Sequence, residues 1–287
     1  MKKNIQLLII DPQNDFCDAP FNWLPTDPVT EAVTHPALPV PGAHADMLRL
    51  AGLIHAASRG ITGISVTLDS HHRFDIAHPT FWQTSTGQAP APFTPVTAAQ
   101  VRQGEFVPKE LSMLAKTLAY LDELEQRGRY TLMVWPVHCE IGSWGHNVHP
   151  AVKAAYNAWE DTHLTLVQKI NKGSNPWTEH YSAMQAEVAD DEDPTTQFNT
   201  ALLDRLDLAD MLVVAGEASS HCVKASVEHI TQNLPSGNIE KVVLLTDCMS
   251  PVGGFEAEHQ AFLTHMASQG VQLCASTELL GILQANA

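Results

Sequence analysis

The chain has 287 residues, enough for one large α/β domain or two small ones. With 32 acidic against 16 basic residues the net charge is -16, which excludes nucleic acid and anionic membranes as natural partners. The hydrophobic content of 44% supports a full core, and no apolar run approaches the length of a membrane span.

In chain order, Gln6–Ile10 is a first apolar run. It stops at Asp11, so the start of the chain reads as a strand and not as a signal peptide. The segment 20–41 follows, with six prolines and the aromatics Phe21 and Trp23, and is expected as a long ordered cover. Ala45–Ser58 has helical spacing, with Met47, Leu48, Ala51, Leu53 and Ile54 on one face, and Ile61–Leu68 is a second strand. A further proline- and threonine-rich excursion covers 78–112 and carries Phe81 and Trp82. Ser112 is then placed as the N-cap of a helix bearing Leu114, Leu118, Leu121 and Leu124. The remaining strands are Tyr130–Trp135, Leu164–Ile170, Met211–Ala215, Val242–Thr246 and Val271–Cys274. The remaining helices are His149–Trp159, Val223–Leu234 and Phe255–Ser268. The acidic run at 190–194 is a solvated turn. Short apolar strands alternating with helices predict a mainly parallel sheet covered on both faces, within a single domain spanning 1–287.

Five cysteines (17, 139, 222, 248, 274) are odd in number and form no C-x-x-C pair. This argues against a disulfide framework and for a reducing, cytoplasmic setting. Cys222 stands where a β-branched run ends at Gly216 and a helix begins. Unpaired N–H groups and the helix dipole there favour a thiolate nucleophile. Asp11 closes the first strand, at the end where open α/β sheets bind ligands. Lys172 closes another, before Gly173. Asp15 is expected as a turn cap. Asp69 and His71 are spaced i, i+2 on an extended segment, which directs both side chains to one side, as a shared metal ion requires. His138 closes a further strand and offers a third ligand. Such a donor set suits one divalent transition metal per chain, zinc first and manganese or iron next.

These residues lie in motifs that resemble the cysteine-hydrolase superfamily of nicotinamidases and isochorismatase-like hydrolases. The matches fall in order along the chain: IIDPQNDFC at 9–17, TLDSHH at 67–72, WPVHC at 135–139, NKG…YSA at 171–183, GEASSHCVKAS at 216–226 and LLTDCMSP at 244–251. The resemblance implies a three-layer α/β/α fold with a six-stranded, mainly parallel sheet in Rossmann-like order, to which this chain could add one strand. It also implies a catalytic triad of Cys222, Asp11 and Lys172. The metal set Asp69, His71 and His138 corresponds to the nicotinamidase branch, with His78 and Glu179 as further candidate ligands; His72 lies close by in the sequence. A cis peptide is expected at Glu217–Ala218, with the N–H groups of Ala218 and Cys222 as the oxyanion donors.

The resemblance therefore implies a metal-dependent cysteine amidohydrolase that converts a small-molecule amide, nicotinamide first, to the acid and ammonia. The metal would anchor the pyridine nitrogen in an aromatic slot drawn from Phe16, Phe21, Trp23, Trp82, Trp144 and Tyr181. A cysteine hydrolase of a carbamoyl or ureido compound, an isochorismatase-like hydrolase of a vinyl ether, and a binding protein that has lost its activity are the alternatives. Self-association as a homo-oligomer is left open.

Overall fold

The computed structural model describes residues 2–287. Its elements run β1 (Ile5–Ile10), α1 (Ala43–Ala57), β2 (Gly63–Asp69), β3 (Trp82–Thr84), β4 (Thr94–Val96), α2 (Ala98–Arg102), β5 (Phe106–Pro108), α3 (Leu114–Arg127), β6 (Leu132–Val134), α4 (Pro150–His163), β7 (Gln168–Lys172), α5 (Thr200–Asp207), β8 (Met211–Gly216), α6 (Cys222–Asn233), β9 (Val242–Leu245), α7 (Glu256–Gln269), β10 (Gln272–Cys274) and α8 (Ser276–Ala285). Six strands form one parallel sheet in the order β10-β9-β8-β1-β2-β7. The central strands β1, β8 and β9 are almost wholly buried, as their unbroken runs of Ile, Leu and Val require.

The strand order reverses direction between β1 and β8. Steps from β1 to β2 and β7 run one way, and steps from β8 to β9 and β10 run the other. Right-handed crossovers then place α1 and α4 on one face and α6 and α7 on the other. α1 packs against both α4 and α8, so the last helix returns to the first face. The reversal opens a crevice at the carboxyl ends of β1 and β8, the usual ligand position of such sheets.

The run at 130–135 is not an extra strand of this sheet. Its β6 segment pairs antiparallel with β4 instead, while β3 pairs with β5. The excursion at 78–112 is thus a folded cover and not an irregular loop. It contributes β3, β4, α2 and β5, and closes a second apolar core with Ile76, Phe81, Trp82, Val101, Phe106, Leu121 and Leu132. A capping box between Thr97 and Gln100 starts α2. Ser112 does not cap the next helix: it lies in a 3-10 turn, bonded to Glu110, and α3 begins at Leu114. The segment 20–41 stays largely irregular, with one 3-10 turn at Phe21–Trp23. Its far end is pinned, Leu38 N–H to Asp15 O at 3.0 Å and Val40 N–H to Phe16 O at 2.9 Å. The helices α5 and α8 are additional to the sequence expectation. The turn at 190–194 is exposed for the most part, with Asp193 accepting from Thr195 N–H at 2.9 Å.

Candidate active site

Gly216 ends β8 directly opposite Ile10 of β1. It takes φ +121°, and a Cβ there would stand 1.9 Å from Ile10 O, so only glycine lets the two strand ends approach this closely. The approach sets the turn after β8 against Asp11. A cis peptide joins Glu217 and Ala218, and Cys222 is the first residue of α6. Among the described residues, no acceptor is bonded to the N–H of Ala218 or of Cys222.

The side chains of the three strand ends converge. Lys172 Nζ lies 2.9 Å from Asp11 Oδ2 and 2.9 Å from Asp69 Oδ1, and donates to His180 O at 2.9 Å and to Cys222 Sγ at 3.5 Å. Asp11 adopts φ +42°, a region aspartate tolerates better than most residues, and its Oδ1 accepts from Thr67 Oγ1 at 2.5 Å. All of these groups are buried. Burial raises the Asp11 carboxyl above its ordinary range, helped by Asp69 and opposed by Lys172. Burial alone would lower Lys172, but the carboxylates of Asp11 and Asp69 outweigh it and hold the ammonium well above its usual value. Burial also pushes the Cys222 thiol well up. Lys172 pulls it down, and Asp11 and Asp69 push it further up. The thiol is therefore harder to ionise than the helix terminus alone would make it. Desolvation and two nearby carboxylates exceed one lysine and a dipole.

Beside this group lie the candidate metal ligands. Asp69 Oδ2 is 3.0 Å from His71 Nε2 and 3.3 Å from His138 Nε2. Ring nitrogens of His71, His78 and His138 lie within 4.8 Å of one another. His71 Nδ1 faces Asp75 Oδ2 at 3.0 Å, and His138 Nδ1 faces Pro136 O at 2.9 Å. With the proton on Nδ1 in each case, the lone pair of Nε2 is directed at the shared centre, the arrangement found around ligating histidines. Two buried atoms nearby, His78 Nδ1 and Glu179 Oε2, have no hydrogen-bond partner. Three imidazoles, a carboxylate and these orphaned donors fit a divalent transition metal.

Two residues outside the predicted set hold this centre in place. Gln13 clamps the Asp69 backbone from both sides, accepting from its N–H at 2.7 Å and donating to its carbonyl at 2.8 Å. Asp15, expected only as a turn cap, accepts from Cys139 N–H at 2.6 Å and from Ala37 N–H at 3.0 Å, so it ties the His138 segment to the 20–41 cover.

A cleft above Cys222 is lined by Phe16, Leu38, Asp69, Trp135, His138, Glu179, Tyr181, Ala218, His221 and Val252. Of the aromatic residues named from sequence, Phe16 and Tyr181 line it. Trp23 does not: it stacks on His149 at the protein surface, with ring centroids 5.3 Å apart. Trp82 is fully buried in the second core, its Nε1 donating to Ile76 O at 2.7 Å. Trp144 acts through its carbonyl, which accepts from Asn14 Nδ2 at 2.8 Å, and Phe21 is 72% exposed. Trp135 and His221 are the aromatic walls that the sequence did not single out. Burial, with Lys224 nearby, pushes His221 down to about 4, so its ring is neutral. A separate groove lined by Lys116, Tyr120, Trp177 and Asp190 holds none of Asp11, Lys172 and Cys222, and Lys116 already fills its acidic side, 3.0 Å from Asp190.

No protein-family model matches the sequence, and no curated protein matches it. Solved structures do. A nicotinamidase/pyrazinamidase from Acinetobacter baumanii superposes with a TM-score of 0.61 at 18% identity, covering 96% of this chain and 98% of that one. The yeast nicotinamidase bound to the inhibitor nicotinaldehyde gives 0.60 at 17% identity, covering 94% and 99%. The zinc complex of a Pyrococcus horikoshii pyrazinamidase gives 0.52 at 17% identity, covering 95% and 99%. An isochorismatase-like hydrolase also superposes, at 0.51. This chain has the isochorismatase-like hydrolase fold. As predicted, the sheet is six-stranded and parallel. The crevice at its switch point brings Asp11, Lys172 and Cys222 together.

Proposed function

We propose that this chain is a metal-dependent cysteine amidohydrolase that converts a small carboxamide, nicotinamide first, to the acid and ammonia. The observation that carries the proposal is the convergence of Asp11, Lys172 and Cys222 beside a His- and Asp-rich centre in one narrow, aromatic-walled cleft. The likeness to a nicotinamidase solved with an aldehyde inhibitor and to a pyrazinamidase solved with zinc supports the substrate and the ion.

Asp11 takes the thiol proton of Cys222 as sulfur attacks the carboxamide carbon, and Lys172 keeps the carboxylate and the nascent thiolate in register. The oxyanion forms opposite the N–H groups of Ala218 and Cys222, each such donor being typically worth ~3 kcal/mol of barrier. Asp11 then gives its proton to the departing nitrogen, the C–N bond breaks, and ammonia leaves a thioester. Water deprotonated by Asp11 attacks the thioester, releases the acid and restores the thiol. Asp69, His71 and His138, with His78 and Glu179 nearby, would hold the metal, which supplies a Lewis-acid anchor for a heteroaromatic nitrogen. Phe16, Trp135 and Tyr181 would stack on the ring.

Ammonia release from nicotinamide and from benzamide, before and after chelation, tests the reading. Nicotinamide is expected to be hydrolysed faster, because benzamide leaves the anchoring position unpaired. Water can refill that position, so the preference is smaller than in a dry pocket. Chelation should depress nicotinamide turnover and narrow the gap. Equal rates with the metal bound would refute anchoring, and no turnover of either amide would favour a carbamoyl or ureido substrate.

A further inference from the structure

The turn that presents Ala218 N–H is bound along its length by the segment after β9. Gly216 N–H donates to Cys248 O at 2.9 Å, Ser219 N–H to Ser250 O at 2.9 Å, and Val252 N–H to Ser220 Oγ at 3.1 Å. Glu217, the residue before Ala218, is wholly buried. Its Oε2 accepts from Ser250 N–H at 3.1 Å, and its Oε1 has no donor. The hydroxyl of the same Ser250 donates to Asp46 Oδ2 of α1 at 2.5 Å, so one serine ties the two carboxyls together. With Glu217 wholly buried and no ion pair to it among the described residues, two carboxyls tied through one serine are best accommodated with a proton between them.

We propose that Glu217 and Asp46 share one proton, and that this acid–carboxylate pair, bridged by Ser250, fixes the turn that carries Ala218. Glu217 is the donor, since its free oxygen otherwise faces no partner. Asp46 is the acceptor, since Arg49 also bonds to it. Burial, with the charges of Asp46 and Asp18 behind it, pushes the Glu217 carboxyl well above its ordinary range, in keeping with this assignment. The other titratable groups around the pair are Arg49 on α1, Cys17 after β1, Cys248 after β9 and His259 on α7. None of them supplies a second cation to the Glu217 oxygen. The role assigned to the turn rests on the amidase reading above. Glu217 is a positioning residue: it holds the backbone that faces the oxyanion and does not touch the substrate.

Infrared difference spectroscopy of the full chain at neutral pH, without substrate, tests the shared proton. Wild type minus Glu217→Gln should contain the carbonyl stretch of a protonated carboxylic acid. Absence of that band overturns the shared proton. The positioning role is read on whichever amide the wild type hydrolyses. Glutamine can donate to Asp46 and accept from Ser250, so Glu217→Gln should retain most of kcat. Glu217→Ala should lose it by about tenfold to a hundredfold with little change in KM, the scale of a displaced transition-state contact. Equal kcat in Glu217→Ala and wild type overturns positioning. A wild type inactive on every amide would refute the amidase reading and the positioning role with it, while the infrared band would still decide the shared proton.

Discussion

Lys172 and Asp69 join the candidate catalytic and metal groups through one carboxylate: Lys172 Nζ lies 2.9 Å from Oδ1, while Oδ2 is turned to His71 and His138. β2 and β7 set this up in the backbone, since Asp69 and Lys172 are register partners at the ends of paired parallel strands. Asp69 supplies one of the two carboxylates around the lysine, and Asp11 supplies the other.

Asp69→Asn should therefore lose both functions at once. Metal content is expected to fall, and kcat to drop by about a hundredfold even with excess metal, because Lys172 is left turned from its register with Cys222. His138→Ala should lose metal but regain part of its kcat when metal is added in excess. Elemental analysis with kinetics at saturating metal separates the two variants. Full recovery of Asp69→Asn under excess metal would show that the lysine does not depend on that carboxylate.

Cys222→Ala should reduce turnover by at least about a thousandfold with unchanged Tm, since the proposed nucleophile is gone and the substitution removes a single buried atom. Alkylation of its thiol, mapped by mass spectrometry, should be blocked by substrate. Substantial residual activity, or faster labelling of Cys274 that abolishes turnover, would remove Cys222 from the chemistry.

Asp11→Asn and Lys172→Ala are each expected to lower kcat strongly, and the double variant should lose far less than the product of the two losses. Groups 2.9 Å apart in one buried ion pair act as a unit. Multiplicative losses in steady-state kinetics would mean that the two residues contribute independently.

Acid should weaken the fold through its buried histidines. Burial pushes His149, His221 and His229 down to about 4, with the neighbouring His44, Lys224 and Arg129 adding to the effect in turn. The unfolded chain takes up protons near the ordinary histidine value of ~6.5, whereas the folded chain refuses them until about pH 4. Stability from these groups is present above about pH 6.5 and is lost as pH falls through that window. Urea unfolding midpoints measured from pH 7.5 to 4.5 should decline, and His149→Gln should flatten part of the slope. A midpoint that rises on acidification would contradict the buried neutral assignment.

Much of the candidate site was legible because its residues sit at strand ends, which apolar runs mark in the sequence. Asp11, Asp69 and Lys172 each terminate such a run, and Cys222 starts a helix after one. The sheet was legible for the same reason. The cleft wall was not. Aromatic content alone cannot separate Trp135, which faces the cleft, from Trp82, which fills the peripheral core, because both follow or begin short apolar segments. Gln13 and Asp15 escaped because their partners lie 56 and 124 residues away, a separation that no local pattern encodes. The 78–112 cover was hidden by its prolines and threonines. Its strands are three residues long, too short for alternation to register.

The anchoring of the 20–41 cover has a use for protein engineering. Leu38 reaches the cleft from this segment, yet its position is set by Asp15, through Leu38 N–H to the carbonyl and Ala37 N–H to the carboxylate. The stretch ahead of it turns on its own Asp27 and leaves Val29 88% exposed. The tip can therefore be shortened, extended or replaced by a foreign peptide without carrying Leu38 with it. Residues 26–33, closed at their base by the Thr26–Val33 bridge, are a graft point where an affinity tag or a fluorophore would report on the cover while the crevice at the strand ends keeps its shape.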